Sequence, residues 1–348
     1  MDDAAAPVRV PGRLPYAPTL VAALIACGIA ATAGIGFGDV PIPASGVLAA
    51  WTHPERDPAV TAIVRELRVP RVLVAGFSGA ALATSGAALQ SLTGNPLADP
   101  YLMGVASGAS VGVGLAVLLG VAHGAGFAPF AFLGAVGATA AVFALGRRRG
   151  SLDLSAFLLA GIVLGGFLAA WMQLLLSLAG QDQSRILGWL MGYLGDADGA
   201  QAAWLGAVVA PAVAAFAWAG RGLDAFAFGE DTARSIGMRV EGFKAGILLL
   251  AALATAVSVA TCGVVGFVGL AVPHGARALV GPPNRRLIPL CALLGATLLI
   301  AADTVSRAAI PGRQLPLGVL TALVGAPAFA LVLRRTRSDA AISTDTAP

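Results

Sequence analysis

Asp303 and Arg307 stand four residues apart inside an otherwise apolar run, in the order that favours a helical ion pair. No other acid lies so deep in such a run. A lone charge at mid-bilayer costs about 2.5–3.5 kcal/mol on insertion scales. The residues alone leave two readings open, a neutralised structural pair near one membrane face or a proton relay. Little else in the chain suits covalent chemistry. Three dispersed histidines, His53, His123 and His274, provide neither a metal cluster nor an acid–base set. Cys27, Cys262 and Cys291 all fall in apolar runs and read as small buried residues, without a disulfide framework. The single lysine, Lys244, is followed by Ala245, so the Gly-Lys-Ser/Thr phosphate cradle of a P-loop ATPase is absent from the sequence.

Four further segments have distinctive spacing. In Gln90–Pro100, QSLTGNPLADP, Pro96 and Pro100 forbid continuous helix, and Asn95 and Asp99 favour turns. It reads as a pathway element or as a tight inter-helix turn. In Gly263–Arg277, GVVGFVGLAVPHGAR, the glycines permit close helix approach, and His274 and Arg277 suit a helix C-terminus. Gly229–Gly237, GEDTARSIG, has acids at its start and glycine at its end, the mark of a short capped helix. It could dock a partner or serve as a solvated connector. Arg68-Val-Pro-Arg71 opens an apolar run, where arginines can anchor at an interface by snorkelling.

Positioning these residues requires elements long enough to cross about 30 Å of hydrocarbon, roughly 20 helical residues each. Ten apolar runs approach that length: 18–37, 70–91, 101–120, 126–146, 154–179, 200–219, 244–262, 264–280, 287–309 and 315–333. They are continuous rather than alternating, which predicts helices. The seventh and eighth form one stretch divided at Cys262-Gly263, and the eighth is short. With the N-terminus inside, 15 of the 22 basic residues fall on the cytoplasmic side and 7 outside. That ratio predicts ten spans with both termini cytoplasmic. Gly86, Pro96 and Gly104 match Gly263, Pro273 and Gly281 at a single offset of 177 residues. An offset of five spans predicts inverted halves, with a broken helix near a pathway in each.

Of 348 residues, 57% are hydrophobic and only 11% charged, against about 25% charged in soluble domains. Such a chain cannot cover itself with polar groups in water. The net charge of +4 is small and the arginines are scattered, so nucleic acid is not an expected partner. The acidic, proline-rich N-terminus lacks a secretory cleavage pattern, so the first run is expected to remain as a span.

The motifs together resemble the permeases of the iron-siderophore, haem and vitamin B12 class of ABC importers. The matching stretches are RVPR at 68–71, GAALATSGAALQ at 79–90, NPLADP at 95–100 and GVASGAS at 104–110. They continue with RILGWLMG at 185–192, GEDTARSIG at 229–237, GFVGLAVPHGAR at 266–277, LIPLCALLGATLLIAADTVSR at 287–307 and LPLGVLTALVGAPAF at 315–329. The resemblance covers about residues 60–335 in unbroken order.

It implies an all-α membrane protein of ten transmembrane helices with inverted-repeat-like halves. Residues 18–335 would form the permease domain, with cytoplasmic tails at 1–17 and 336–348. It implies a homodimer in the inner membrane, working with two cytoplasmic ATP-binding subunits and a periplasmic substrate-binding protein. ATP and magnesium would belong to those subunits, leaving this chain no cofactor, no metal and no catalytic residue. By the same resemblance Arg68, Arg71 and Arg307 would face acidic residues of the docked binding protein. Gly229, Glu230, Asp231, Arg234 and Gly237 would form the segment that couples to the ATPase. Gln90, Asn95 and Leu97 would belong to the inner gate, and Arg185 and Trp189 to the outer cavity. An arginine there suits a substrate carboxylate such as a haem propionate. The family usually has glutamate where this chain has Gln314.

The expected function is therefore ATP-driven import of an iron chelate, haem or ferric siderophore, by alternating access. Cobalamin import is the alternative. An ion-coupled secondary transporter would usually keep acids in mid-span, and apart from Asp303 the runs have essentially none.

Overall fold

In lipid a segment must satisfy its own backbone hydrogen bonds, and a continuous apolar run does so as a helix. The computed structural model describes residues 14–38, 40–121, 126–148, 151–310 and 312–330. The tail residues 1–13 and 331–348 lie outside the described residues, as do His123 and Arg149. The principal helices are α1 (Tyr16–Gly36), α4 (Val69–Thr93), α5 (Val105–Leu118), α6 (Phe127–Gly146), α7 (Leu154–Leu178), α9 (Gly199–Trp218), α12 (Val240–Cys262), α13 (Val268–Val280), α14 (Asn284–Ala308) and α15 (Leu317–Ala330). Between them lie the shorter α2 (Ala44–Thr52), α3 (Pro58–Ala62), α8 (Gln183–Leu190), α10 (Gly220–Phe226) and α11 (Glu230–Ser235). A two-stranded antiparallel hairpin, β1 (Arg147–Arg148) with β2 (Ser151–Leu152), joins α6 to α7.

Seven helices, α1, α4, α6, α7, α9, α12 and α14, are long and apolar enough to cross a membrane. The other three expected runs give shorter helices, for local reasons. Pro100–Met103 winds as a 3-10 turn and Gly104 takes φ +77°, so α5 keeps 14 residues. Gly263–Phe267 is unwound, so α13 keeps 13. Pro316 precedes the first turn of α15.

Contacts at the helix ends define two ends of the bundle. At one, α1 finishes, α4 starts and α14 finishes around Arg68, Arg71 and Arg307. At the other, α4 finishes beside the hairpin, α10, α11 and the start of α12 around Lys244. Helix α4 is the central post, packed by α14, α12, α9 and α13, and is buried on nearly every side. Its small residues allow that. A Cβ on Gly79 would lie 2.1 Å from the Gly295 carbonyl oxygen, and one on Gly86 1.9 Å from that of Gly269. Backbone meets backbone at both crossings.

The 177-residue repeat is not matched in local conformation. Gly86 lies inside unbroken α4, whereas its counterpart Gly263 has φ +72° in the unwound link. Pro96 lies in a turn, whereas Pro273 is inside α13. Only the third pair agrees, Gly104 and Gly281 both taking positive φ at helix boundaries. In the first half the helix breaks at Gly94, before Pro96, and in the second at Gly263, before Pro273.

Candidate functional site

The three motif arginines converge, with Arg68 and Arg307 meeting at the end of α1. That helix leaves carbonyls without intrahelical partners at its C-terminus. Arg68 donates to the Ile35 and Gly36 carbonyls at 2.7 and 2.9 Å and also to that of Val40. Arg307 donates to those of Gly34 and Phe37 at 2.9 and 3.0 Å. Two cations thus close one helix C-terminus, where the backbone dipole favours them. Asp303 lies 3.0 Å from Arg307, as the four-residue spacing predicts, and 2.8 Å from Arg71. Arg71 also donates to Gln314 Oε1 at 3.1 Å. All three guanidinium groups that the resemblance assigns to docking thus also make bonds within the chain. The three arginines are only 6–8% exposed and are engaged within the chain, because the ends of α1 and α14 require them.

At the same end Arg185 and Trp189 of α8 do come together. They line a cleft of about 320 Å³ with Phe127, Tyr193, Asp196 and Gln201. Arg185 pairs with Asp182 at 3.0 Å and donates to the Val121 carbonyl at 2.8 Å, while its Nε is buried without a partner. The cleft backs onto the unwound link. The Trp189 carbonyl would lie 2.2 Å from a Cβ on Gly263, and Gly192 and Met191 accept the Leu317 and Gly318 N–H groups that open α15.

The residues assigned to the inner gate lie toward the other end of α4. Gln90 is buried near the opposite end of α4. Its amide donates to the Gly269 and Leu270 carbonyls at 3.3 Å, and it accepts from Arg277. Arg277 continues to Ser91 at 2.9 Å, Ser91 donates to Asn284 at 2.7 Å, and Asn284 donates to Asp224 at 2.8 Å. This polar chain joins α4, α13, α14 and α10. Asn95 and Leu97 stand apart from it on the surface, in an Asx turn in which Asn95 Oδ1 accepts the Leu97 N–H at 2.9 Å. In the same loop burial pushes the Asp99 carboxyl up, opposed by a hydrogen bond from the Tyr101 N–H.

Residues 229–237 form the short helix the sequence predicts. Gly229 and Gly237 take φ +99° and +85° on either side of α11. Asp231 and Arg234 are exposed and 3.7 Å apart, while Ala233 is buried. Glu230 turns inward to Lys244, a partner that sequence reasoning missed. A lone lysine among apolar residues signals only a span boundary until its acids are brought to it. Tyr101 was missed as well. Its hydroxyl donates to the Val265 carbonyl at 2.8 Å and accepts the Val265 N–H at 3.0 Å, satisfying the unwound link.

The profile of the FecCD transport family matches residues 23–335. The chain belongs to the FecCD transport family. It is 39% identical to the cobalamin import system permease protein BtuC of Halobacterium salinarum, over 78% of this chain and 73% of that one. It is 36% identical to the hemin transport system permease protein HmuU of Yersinia pestis, over 83% and 88%. A solved metal-chelate type ABC transporter in an inward-facing conformation superposes with a TM-score of 0.82 at 28% identity, covering 92% of this chain and all of that one. FecCD proteins are the membrane permease subunits of ABC importers; ATPase activity resides on separate subunits, and the importers also work with binding proteins.

Proposed function

We propose that this FecCD permease forms a homodimer of ten-span subunits and imports an iron chelate, haem or ferric siderophore, by alternating access. In this reading all ten principal helices cross the membrane. Residues 18–335 form the permease domain, and the tails at 1–17 and 336–348 are cytoplasmic. The Lys244 end faces the cytoplasm and the Arg68 end faces the periplasm. Gly229, Glu230, Asp231, Arg234 and Gly237 meet an ATP- and magnesium-binding subunit. Gln90 with the Asn95–Leu97 turn forms the inner gate. Arg68, Arg71 and Arg307 face acidic residues of the docked binding protein, at the end where α1, α4 and α14 meet.

The observation that carries the substrate class is the Arg185 cleft. Its cation stands in a wall of Phe127, Trp189 and Tyr193. A planar, carboxylate-bearing ligand matches both features. The test is ATP-dependent uptake into proteoliposomes carrying the permease, its ATPase and its binding protein, with haemin, a ferric siderophore and cyanocobalamin offered in turn. Haemin or the ferric siderophore is expected to accumulate. For haemin, Arg185→Ala should raise KM about tenfold, the effect of losing a charge-assisted hydrogen bond. The identity to BtuC favours cobalamin as the second reading, and uptake of cyanocobalamin alone would establish it in place of the first.

A further inference from the structure

Lys244 is the only lysine of the protein, and it is 2% exposed. Lysines are almost never buried without partners. Its Nζ lies 3.0 Å from Glu230 Oε1, 2.9 Å from Glu241 Oε1 and 2.7 Å from the Leu152 carbonyl oxygen. The three ammonium donors therefore meet acceptors on three elements: α11, the first turn of α12 and β2. Glu241 completes the ring by accepting the Leu152 N–H at 2.7 Å, so β2 is held through both backbone groups of one residue.

Apart from this pair, helix α11 is held mainly by its packing on α10 through Ala233. It has six residues, of which only Ala233 is buried, and so short a helix has no stability of its own. Helix α12 is a rigid rod of 23 residues, about 35 Å long, ending at the unwound link behind the Arg185 cleft.

We propose that Lys244 is a positioning residue that makes α11, the β1–β2 hairpin and the start of α12 one rigid unit, so that a displacement imposed on α11 reaches the Gly263–Phe267 link and the Arg185–Trp189 cleft through α12. The transmission half rests on the reading of α11 as the ATPase contact; the rigid unit does not.

The rigid unit is tested on the full chain in lipid nanodiscs, without partners, by pulsed electron spin resonance. Spin labels are placed at Ser235→Cys and Leu249→Cys in a background with Cys27, Cys262 and Cys291 replaced. The parent should give one narrow distance distribution. Lys244→Met should widen it more than twofold, and Lys244→Arg should restore most of the narrowing, which a purely space-filling role would not. An unchanged width in Lys244→Met overturns the proposal. If Lys244→Met does not fold, Glu230→Gln, which removes only the carboxylate that α11 offers to Lys244, is read in the same way. Transmission is read on the assembled complex, with labels at Leu187→Cys and Val319→Cys across the link. ATP–Mg should shift that distance in the parent and shift it less than half as far in Lys244→Met, with the ATPase still bound. An equal shift in both, or none in the parent, overturns transmission. Dissociation of the ATPase from α11 variants is a separate measurement, so failure of the coupling assignment is told apart from failure of the lysine clamp.

Discussion

Asp303 bridges the Arg71 and Arg307 guanidinium groups, and all three residues are buried. Removing one member of a buried pair leaves the others uncompensated, at about 3–5 kcal/mol. Asp303→Asn should therefore lower the thermal midpoint of the purified permease by that order, seen by scanning fluorimetry in detergent. Replacing Arg68, Arg71 or Arg307 by Glu would put an acid against backbone carbonyls or Asp303. Such variants are expected to fail at assembly of the α1–α4–α14 end, before docking can be read. Gln314→Glu should do the reverse: it gives Arg71, which already donates to Gln314 Oε1, a charged acceptor at that position. Because position 314 is exposed, the gain should be below about 1 kcal/mol in the same assay. The 303–307 pair was legible because a helix brings residues four apart together. Arg71 was not, because it arrives from 232 residues away.

The unwound link Gly263–Phe267 decides how α12, α13 and α15 relate. Breaking a helix there frees backbone groups, and Tyr101 takes up both from Val265. Tyr101→Phe should cost about 1–3 kcal/mol for the groups left unpaired. It should also speed hydrogen exchange of the Val265 amide at least tenfold, measured by mass spectrometry. The division at Cys262-Gly263 could be read from the sequence as a glycine dividing one apolar stretch, and in the structure Gly263 takes φ +72° where a Cβ would strike the Trp189 carbonyl. Tyr101 could not, since a tyrosine near a helix start has no local mark of its distant partner. The short helix at 230–235 was legible from its acids and flanking glycines. Its tie to Lys244 was not, because neither the spacing nor the residue types distinguish that lysine from a span-boundary cation.

For the molecule in its membrane, the orientation predicts an accessibility pattern. With the native cysteines replaced, Ser235→Cys should react with a membrane-impermeant maleimide only after cells are permeabilised, and Glu55→Cys should react without permeabilisation. The opposite result would place α11 beyond the reach of any cytoplasmic ATPase. Hydropathy sorts helices from loops well but does not rank them by depth in the bundle. Helix α4, with a mean hydropathy of 1.7 in its most apolar window, is 78% buried there; α7, at 2.1, is 11% buried. Lipid is as apolar as leucine, so nothing in a span's greasiness tells whether it faces protein or lipid. The small residues of α4 decide that, by letting neighbouring backbones approach.

The sequence by itself determined the solvent, the helical class and the family, because a scarcity of charge and long apolar runs are local properties that each segment carries with it. It also determined the ion pair and the short capped helix, whose partners lie within a turn or two. Only the tertiary structure decided that Arg68 and Arg307 close the end of α1, that Tyr101 satisfies the unwound link, and that one lysine joins three elements. Those contacts join residues far apart along the chain, and which pairs meet is set by how the helices pack.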